Sequence, residues 1–143
     1  MIQRKQSLFL LLATAISALL LYLPVFELLP EDVSLPGKKV TVTINALLLI
    51  INGAVGILAF VTIFFYKNRG LQLRSCNLAL LLTCILIGLL FFLSDTMSSG
   101  MNQKIHYLYG SYLPLIQIVF LFLASRYVRK DDELVRSADR LRR

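Results

Sequence analysis

Tyr66-Lys67-Asn68-Arg69-Gly70-Leu71-Gln72-Leu73-Arg74-Ser75 carries three cations and no acid, and it lies between two long apolar runs. Each flanking run is long enough to cross a hydrocarbon layer roughly 30 Å thick. The stretch is therefore read as a tight polar turn between two membrane-spanning helices. Its cations mark it as cytoplasmic, because short inner loops hold the excess of Lys and Arg. Composition agrees, since 57% hydrophobic and 16% charged residues, with a mean hydropathy of +0.74, lie outside what a water-soluble domain of this length tolerates. The formal net charge of +7 is no sign of nucleic acid. The cations sit beside the ends of apolar runs, where topology and anionic headgroups account for them.

The fold class expected is an all-α membrane protein, one domain over residues 1–143, with four transmembrane helices in an antiparallel bundle. The first span is placed at about 8–26, after Arg4 and Lys5. Its apolar run continues through Leu19-Leu20-Leu21-Tyr22-Leu23, past the small residues Ala13-Thr14-Ala15, so it reads as a retained span and not a cleaved signal peptide. Pro24, Glu27 and Pro30 end it. Residues 32–43 have strand character, with Pro36-Gly37 as a turn and Val-Thr alternation after Lys38-Lys39, and a small extracytoplasmic β-hairpin is expected there. The second span is placed at 44–66, interrupted by Asn45, Asn52 and Thr62, the third at 76–94 and the fourth at 107–128. Residues 95–106 are read as a polar outer loop, and Pro114 falls near the outer end of the fourth span, where it costs least. All six tyrosines (Tyr22, Tyr66, Tyr107, Tyr109, Tyr112 and Tyr127) lie at span ends, as an interfacial aromatic belt would. With this threading, twelve of the fifteen cations are inside and only Lys38, Lys39 and Lys104 outside, so both termini are expected in the cytoplasm.

Inside the spans the polar residues are neutral. Asn52, Asn77, Thr83 and Gln117 are read as interhelical hydrogen-bonding groups, and Gly53, Gly56, the Ala13/Ser17 pair and the Cys84/Gly88 pair as close-packing positions. Cys76 and Cys84, eight residues apart on one helix, would be about 12 Å apart, too far for a disulfide. His106, the single histidine, could pair with Asp95 across the outer loop, but no nucleophile or metal-ligand spacing accompanies it. No catalytic residue, metal site or cofactor is expected, and no small-molecule substrate is evident.

The tail, 129–143, alternates charge in a helical pattern. Asp132/Arg136 and Asp139/Arg143 are i,i+4 pairs with the acid first, while Leu134, Ala138 and Leu141 form a narrow apolar stripe. Arg129, Lys130, Asp131, Asp132, Glu133, Leu134, Arg136, Asp139, Arg140 and Leu141 are the candidate docking residues. They would meet a cytoplasmic protein partner or the chain's own inner loop around Arg69 and Arg74. The opening Met1-Ile2-Gln3-Arg4 and the run from Arg129 to Arg142 resemble a domain-of-unknown-function family of small four-span inner-membrane proteins of Bacteroidota. The resemblance implies a bacterial inner-membrane location and brings no activity with it. Small size, the lack of reactive groups and the patterned tail favour an accessory or assembly subunit of a larger inner-membrane complex, such as protein export or translocation machinery, with lipid and other subunits as partners. The alternative is a small transporter, channel or lipid-handling protein.

Overall fold

The structure, a computed structural model, describes residues 3–29, 37–101 and 104–141. Four helices dominate: α1 (Gln3–Tyr22), α2 (Ala46–Phe64), α3 (Arg69–Met101) and α4 (Leu113–Leu141). α1 stops because Pro24 has no amide to continue the ladder; the last bond of that turn runs from the Leu23 N–H to the Leu19 carbonyl, 3.0 Å. Asn45, read as an interruption within the second span, instead caps α2. Its Oδ1 accepts from the Leu47 N–H at 2.9 Å, meeting one of the unpaired donors of the first turn.

The cationic stretch does make a tight turn, shorter than its composition suggested. A 3-10 turn at Phe65–Lys67 is followed by Asn68 alone, and the Gln72 N–H already donates to the Asn68 carbonyl, 3.0 Å. α3 thus starts at Arg69, ahead of the expected span, and runs on to Met101 through most of the expected outer loop. The polar residues from Asp95 onward mark where apolar surroundings end, and none of them lacks an amide or otherwise stops a helix. At 33 residues α3 is about 50 Å long, well beyond the hydrocarbon thickness. α4 is likewise a single helix of 29 residues. Pro114 sits in its first turn, where no intrahelical bond is lost, and the expected tail helix is its last part, up to Leu141.

Consecutive helices pack antiparallel in the ring α1–α2–α3–α4, closed by α4 on α1. The interior has two apolar clusters. Leu10, Ala13, Val55, Ala59, Cys76, Ala79, Leu121 and Ala124 fill one end, and Ile16, Leu20, Leu48, Leu86 and Leu90 the other. Unlike a water-soluble bundle, this one is apolar on its outer faces as well as in its interior. Gln6, Ser17, Asn52, Thr62, Gln72, Thr83, Ser94 and Gln117 are buried, while Leu11, Ile50, Ile57, Phe64, Phe92 and Phe122 are among many large apolar side chains that point outward. Three helices are long and apolar enough to cross a membrane (Ala46–Phe64, Arg69–Gly100, Tyr109–Val135), and α1 adds a shorter apolar stretch, Gln6–Tyr22. Only 28% of the residues in the most apolar part of each long helix are buried. These features are compatible with a multi-pass membrane protein.

A small sheet closes one end. β1 (Phe26–Leu29) is the central strand between β2 (Lys38–Val40) and β3 (Lys104–Tyr107), antiparallel to both. Phe26 faces Val40 on one side and Tyr107 on the other. This corrects the expected hairpin in two ways. Its first strand is Phe26–Leu29, which begins where the first span was expected to end, and Val42 and Thr43, expected as strand, fall in the 3-10 turn Val42–Ile44. The expected strand and most of its turn fall in residues 30–36, outside the described residues. Two short strands are marginal alone. Here β3, from the α3–α4 connection, completes the pairing of β1, and Val25, Phe26, Leu28, Val40 and Val42 are buried with the Ile16, Leu20, Leu48, Leu86 and Leu90 cluster.

Candidate functional site: a buried polar layer and a cationic groove

Between the two apolar clusters every helix contributes one buried polar residue: Ser17 from α1, Asn52 from α2, Thr83 from α3 and Gln117 from α4. Asn52 Nδ2 donates to the Ser17 carbonyl at 3.0 Å. Gln117 Nε2 donates to the Ala13 carbonyl at 3.1 Å and to Ser17 Oγ at 2.6 Å, so α2 and α4 both bind the same turn of α1. Thr83 satisfies itself through the Ala79 carbonyl, 2.7 Å. Such bonds replace the hydrophobic drive that is missing between helices in lipid. Asn52 Oδ1 and Gln117 Oε1 have no partner among the described residues. Gly56 belongs to this layer too, since a Cβ there would lie 3.0 Å from Ser17 Cβ. Gly53 and Gly88 do not, because nothing lies within 4 Å of where their Cβ would be. The small-residue spacing identified a real contact at one of the three glycines.

One turn before Leu10 and Cys76 along their helices lie Gln6 and Gln72, 2% and 1% exposed, with Gln6 Oε1 and both side-chain polar atoms of Gln72 unpartnered among the described residues. Thr62 on α2, also buried, donates to the Leu58 carbonyl at 2.5 Å. Sequence reading missed both glutamines, because each lies outside the segment taken as a span. The signal available was their i–4 spacing from core residues.

At the same end α3 and α4 are tied by two contacts. Ser125 Oγ donates to Asn77 Oδ1 at 3.0 Å. Lower down, Arg69 donates through Nη1 to the Asp131 carbonyl at 2.9 Å and pairs through Nη2 with Asp131 Oδ2 at 3.4 Å. The tail therefore meets the α2–α3 turn of its own chain through Arg69 and Asp131, one of the two partners its charge pattern suggested. The pair is largely buried, Arg69 being 25% and Asp131 14% exposed, and the backbone bond adds geometric definition. Beside these contacts runs a groove of about 670 Å³ between Leu80 and Asn77 on α3 and Phe122 to Glu133 on α4, with Arg126, Arg129 and Lys130 along it.

Of the other candidate docking residues, Glu133 and Leu134 are exposed and Asp132 is half-buried. Arg136, Asp139, Arg140 and Leu141 continue the helix backbone, and their side chains lie outside the described residues. At the sheet end His106 is the strand neighbour of Glu27, which also faces Lys39, whereas the sequence suggested Asp95 as its partner. Tyr127, read as an interfacial residue, stacks on Phe9 with ring centroids 5.5 Å apart. Among the described residues no three His, Cys, Asp or Glu side chains converge as a metal site would require.

Comparison with known proteins yields a match over residues 2–141 to the family described as domain of unknown function DUF4293. No curated protein and no solved structure matches the chain. With nearly all of its length covered, the chain belongs to the DUF4293 family.

Proposed function

We propose that this protein is a non-catalytic accessory or assembly subunit of a larger bacterial inner-membrane complex, spanning the membrane four times with both termini in the cytoplasm. The observation that carries the reading is the cytoplasmic end of α4. It continues as an unbroken helix past the apolar span, is braced against α3 by Arg69 and Asp131, and presents the neighbouring apolar residues Leu134 and Val135, 48% and 40% exposed, with Asp132, Glu133 and Arg136 next to them in the sequence. A surface of mixed charge around exposed apolar residues suits a protein partner, since opposite signs fix register and exclude wrong partners. The apolar stretch of α1, Gln6–Tyr22, is about 25 Å long, at the short end of what crosses a bilayer, and is taken as the remaining span.

Native membranes solubilised in mild detergent test this reading. The wild-type chain should migrate as a particle larger than itself, with other subunits in fixed ratio. Leu134→Glu combined with Val135→Glu should release it as a free, folded protein. Wild-type chain that runs alone, and whose thermal stability rises with a small solute, would favour a transporter or channel instead.

Threading gives a separate prediction. With an impermeant maleimide on spheroplasts, Ser99→Cys should label at once and Asn68→Cys only after the membrane is opened; the reverse order inverts the topology. Cys76 is buried and Cys84 exposed on the outer surface of α3, so Cys84 is first replaced by Ser to lower the background.

A further inference from the structure

The α3/α4 groove changes character along its length in the way a phospholipid does. At its deep end Leu80 and Phe122 offer apolar surface, and Asn77 and Ser125 follow as hydrogen-bonding groups. Arg126, Arg129 and Lys130 then line it toward the end of the span, with Glu133 as the one acid among the described lining residues. Phe122, Arg126, Arg129, Lys130 and Glu133 are spaced to share one face of α4. From Phe122 to Lys130 the helix rises about 12 Å, roughly the distance from upper acyl chain to phosphate. Among the described residues none of the three cations is paired with an acid. The ion pair binding α4 to α3 is made by Arg69 and Asp131, outside the groove lining. Ser125 Oγ occupies Asn77 Oδ1, which leaves the Asn77 amide N–H groups directed to other acceptors.

We propose that this groove is a binding site for one anionic phospholipid of the inner leaflet, its phosphate held by Arg126, Arg129 and Lys130, its glycerol region by Asn77 and Ser125, and its acyl chains on Leu80 and Phe122. Three cations against one acid give the complementarity for an anionic headgroup, and guanidinium pairs bind phosphate oxygens in a fixed fork geometry. The apolar deep end distinguishes a lipid from free phosphate, which would leave Leu80 and Phe122 exposed. The inference rests on the threading proposed above, in that these cations must lie at headgroup depth.

The chain contains no tryptophan, so Phe122→Trp installs a single fluorescent reporter in the groove. The full-length protein, with this substitution, is reconstituted in phosphatidylcholine containing a graded fraction of phosphatidylglycerol, one or the other brominated on its acyl chains. Quenching should report a preference for phosphatidylglycerol of about tenfold at this position. It should fall to near unity when Arg126→Gln, Arg129→Gln and Lys130→Gln are added. Phe64→Trp, on α2 at the same end of the bundle and 63% exposed, should show no preference. Equal quenching by both lipids at Phe122→Trp overturns the site, as does an equal preference at Phe64→Trp or one that survives the triple substitution. Loss of the preference on adding inorganic phosphate at constant ionic strength would mean a phosphate site and would also overturn it. Absence of quenching at Phe64→Trp by either lipid means instead that the threading is wrong. A groove that excludes phosphatidylglycerol in the native complex but not in the purified protein is a protein-docking surface, which refutes the lipid assignment. The triple variant could misfold, but the comparison of the two tryptophan positions does not depend on it.

Discussion

Gly110→Ala is expected to destabilise the protein by about 3 kcal/mol, the cost of forcing atoms into a packed site that cannot relax. Gly110 is buried where the chain leaves β3 and enters α4 through the 3-10 turn Tyr109–Tyr112. A Cβ there would collide with the Pro24 carbonyl oxygen, lie 2.8 Å from the Pro24 carbonyl carbon and 3.1 Å from Val25 Cα. All three are backbone atoms, so no side chain can swing aside. The two segments are also hydrogen-bonded to each other: the Gly110 N–H donates to the Pro24 carbonyl at 3.2 Å, the Leu108 N–H to the Val25 carbonyl at 2.9 Å, and Ser111 Oγ to that same Val25 carbonyl. Accommodating one methyl group means pulling the end of α1 away from the start of α4, with loss of those bonds and of the β1–β3 register. Gly88→Ala is the matched control. It is helical, and nothing lies within 4 Å of the new carbon, so it should be neutral or stabilising by roughly 0.5–1 kcal/mol through helix propensity. Reversible unfolding in mixed detergent micelles measures both. A Gly110→Ala protein as stable as the wild type would mean that this junction is not tightly packed.

That junction shows where the sequence was legible and where it was not. Apolar runs, the cationic turn and the neutral polar residues Asn52 and Gln117 were readable because membrane burial demands them wherever they occur. The strand at Phe26–Leu29 was not. Val25 and Phe26 extend an apolar run, and hydropathy reports the surroundings of a residue, not its backbone conformation. Only Pro24 hinted that the helix had already ended. β3 was illegible for a different reason, since Lys104-Ile105-His106-Tyr107 alternates polar and apolar residues over only four positions and is a strand because β1 has an open edge beside it, a long-range condition. The same distinction explains α3, whose polar end was taken for a loop because it leaves the apolar zone. In the groove, the cations were visible as charge, but their place beside Asn77 and Leu80 depends on how α3 packs against α4.

Gln117→Ala should cost about 3 kcal/mol, more than Gln117→Leu or Ser17→Ala, and the ranking separates hydrogen bonding from packing in the polar layer. Gln117 is completely buried and reaches across to α1 through two bonds from one nitrogen, to the Ala13 carbonyl and to Ser17 Oγ. Truncation to Ala removes both bonds and leaves a hole in the bundle, and large-to-small changes at such sites cost roughly 2–5 kcal/mol. Gln117→Leu also loses the bonds but fills most of the volume. It further removes the buried Oε1, which has no partner among the described residues, and deleting an unsatisfied group offsets part of the loss. The Ser17 hydroxyl can then turn to the carbonyl of Ala13, four residues back on its own helix. Interhelical hydrogen bonds in membranes average about 0.6 kcal/mol, so Gln117→Leu should cost no more than about 1 kcal/mol. Ser17→Ala should cost less still, because the Asn52 bond goes to the Ser17 backbone carbonyl and survives the change, as does the Gln117 bond to Ala13. Steric trapping of the unfolded state in bicelles gives the three values on one scale. If Ser17→Ala were as damaging as Gln117→Ala, the hydroxyl would be the dominant tie between α1 and α4, and packing around Gln117 would be secondary.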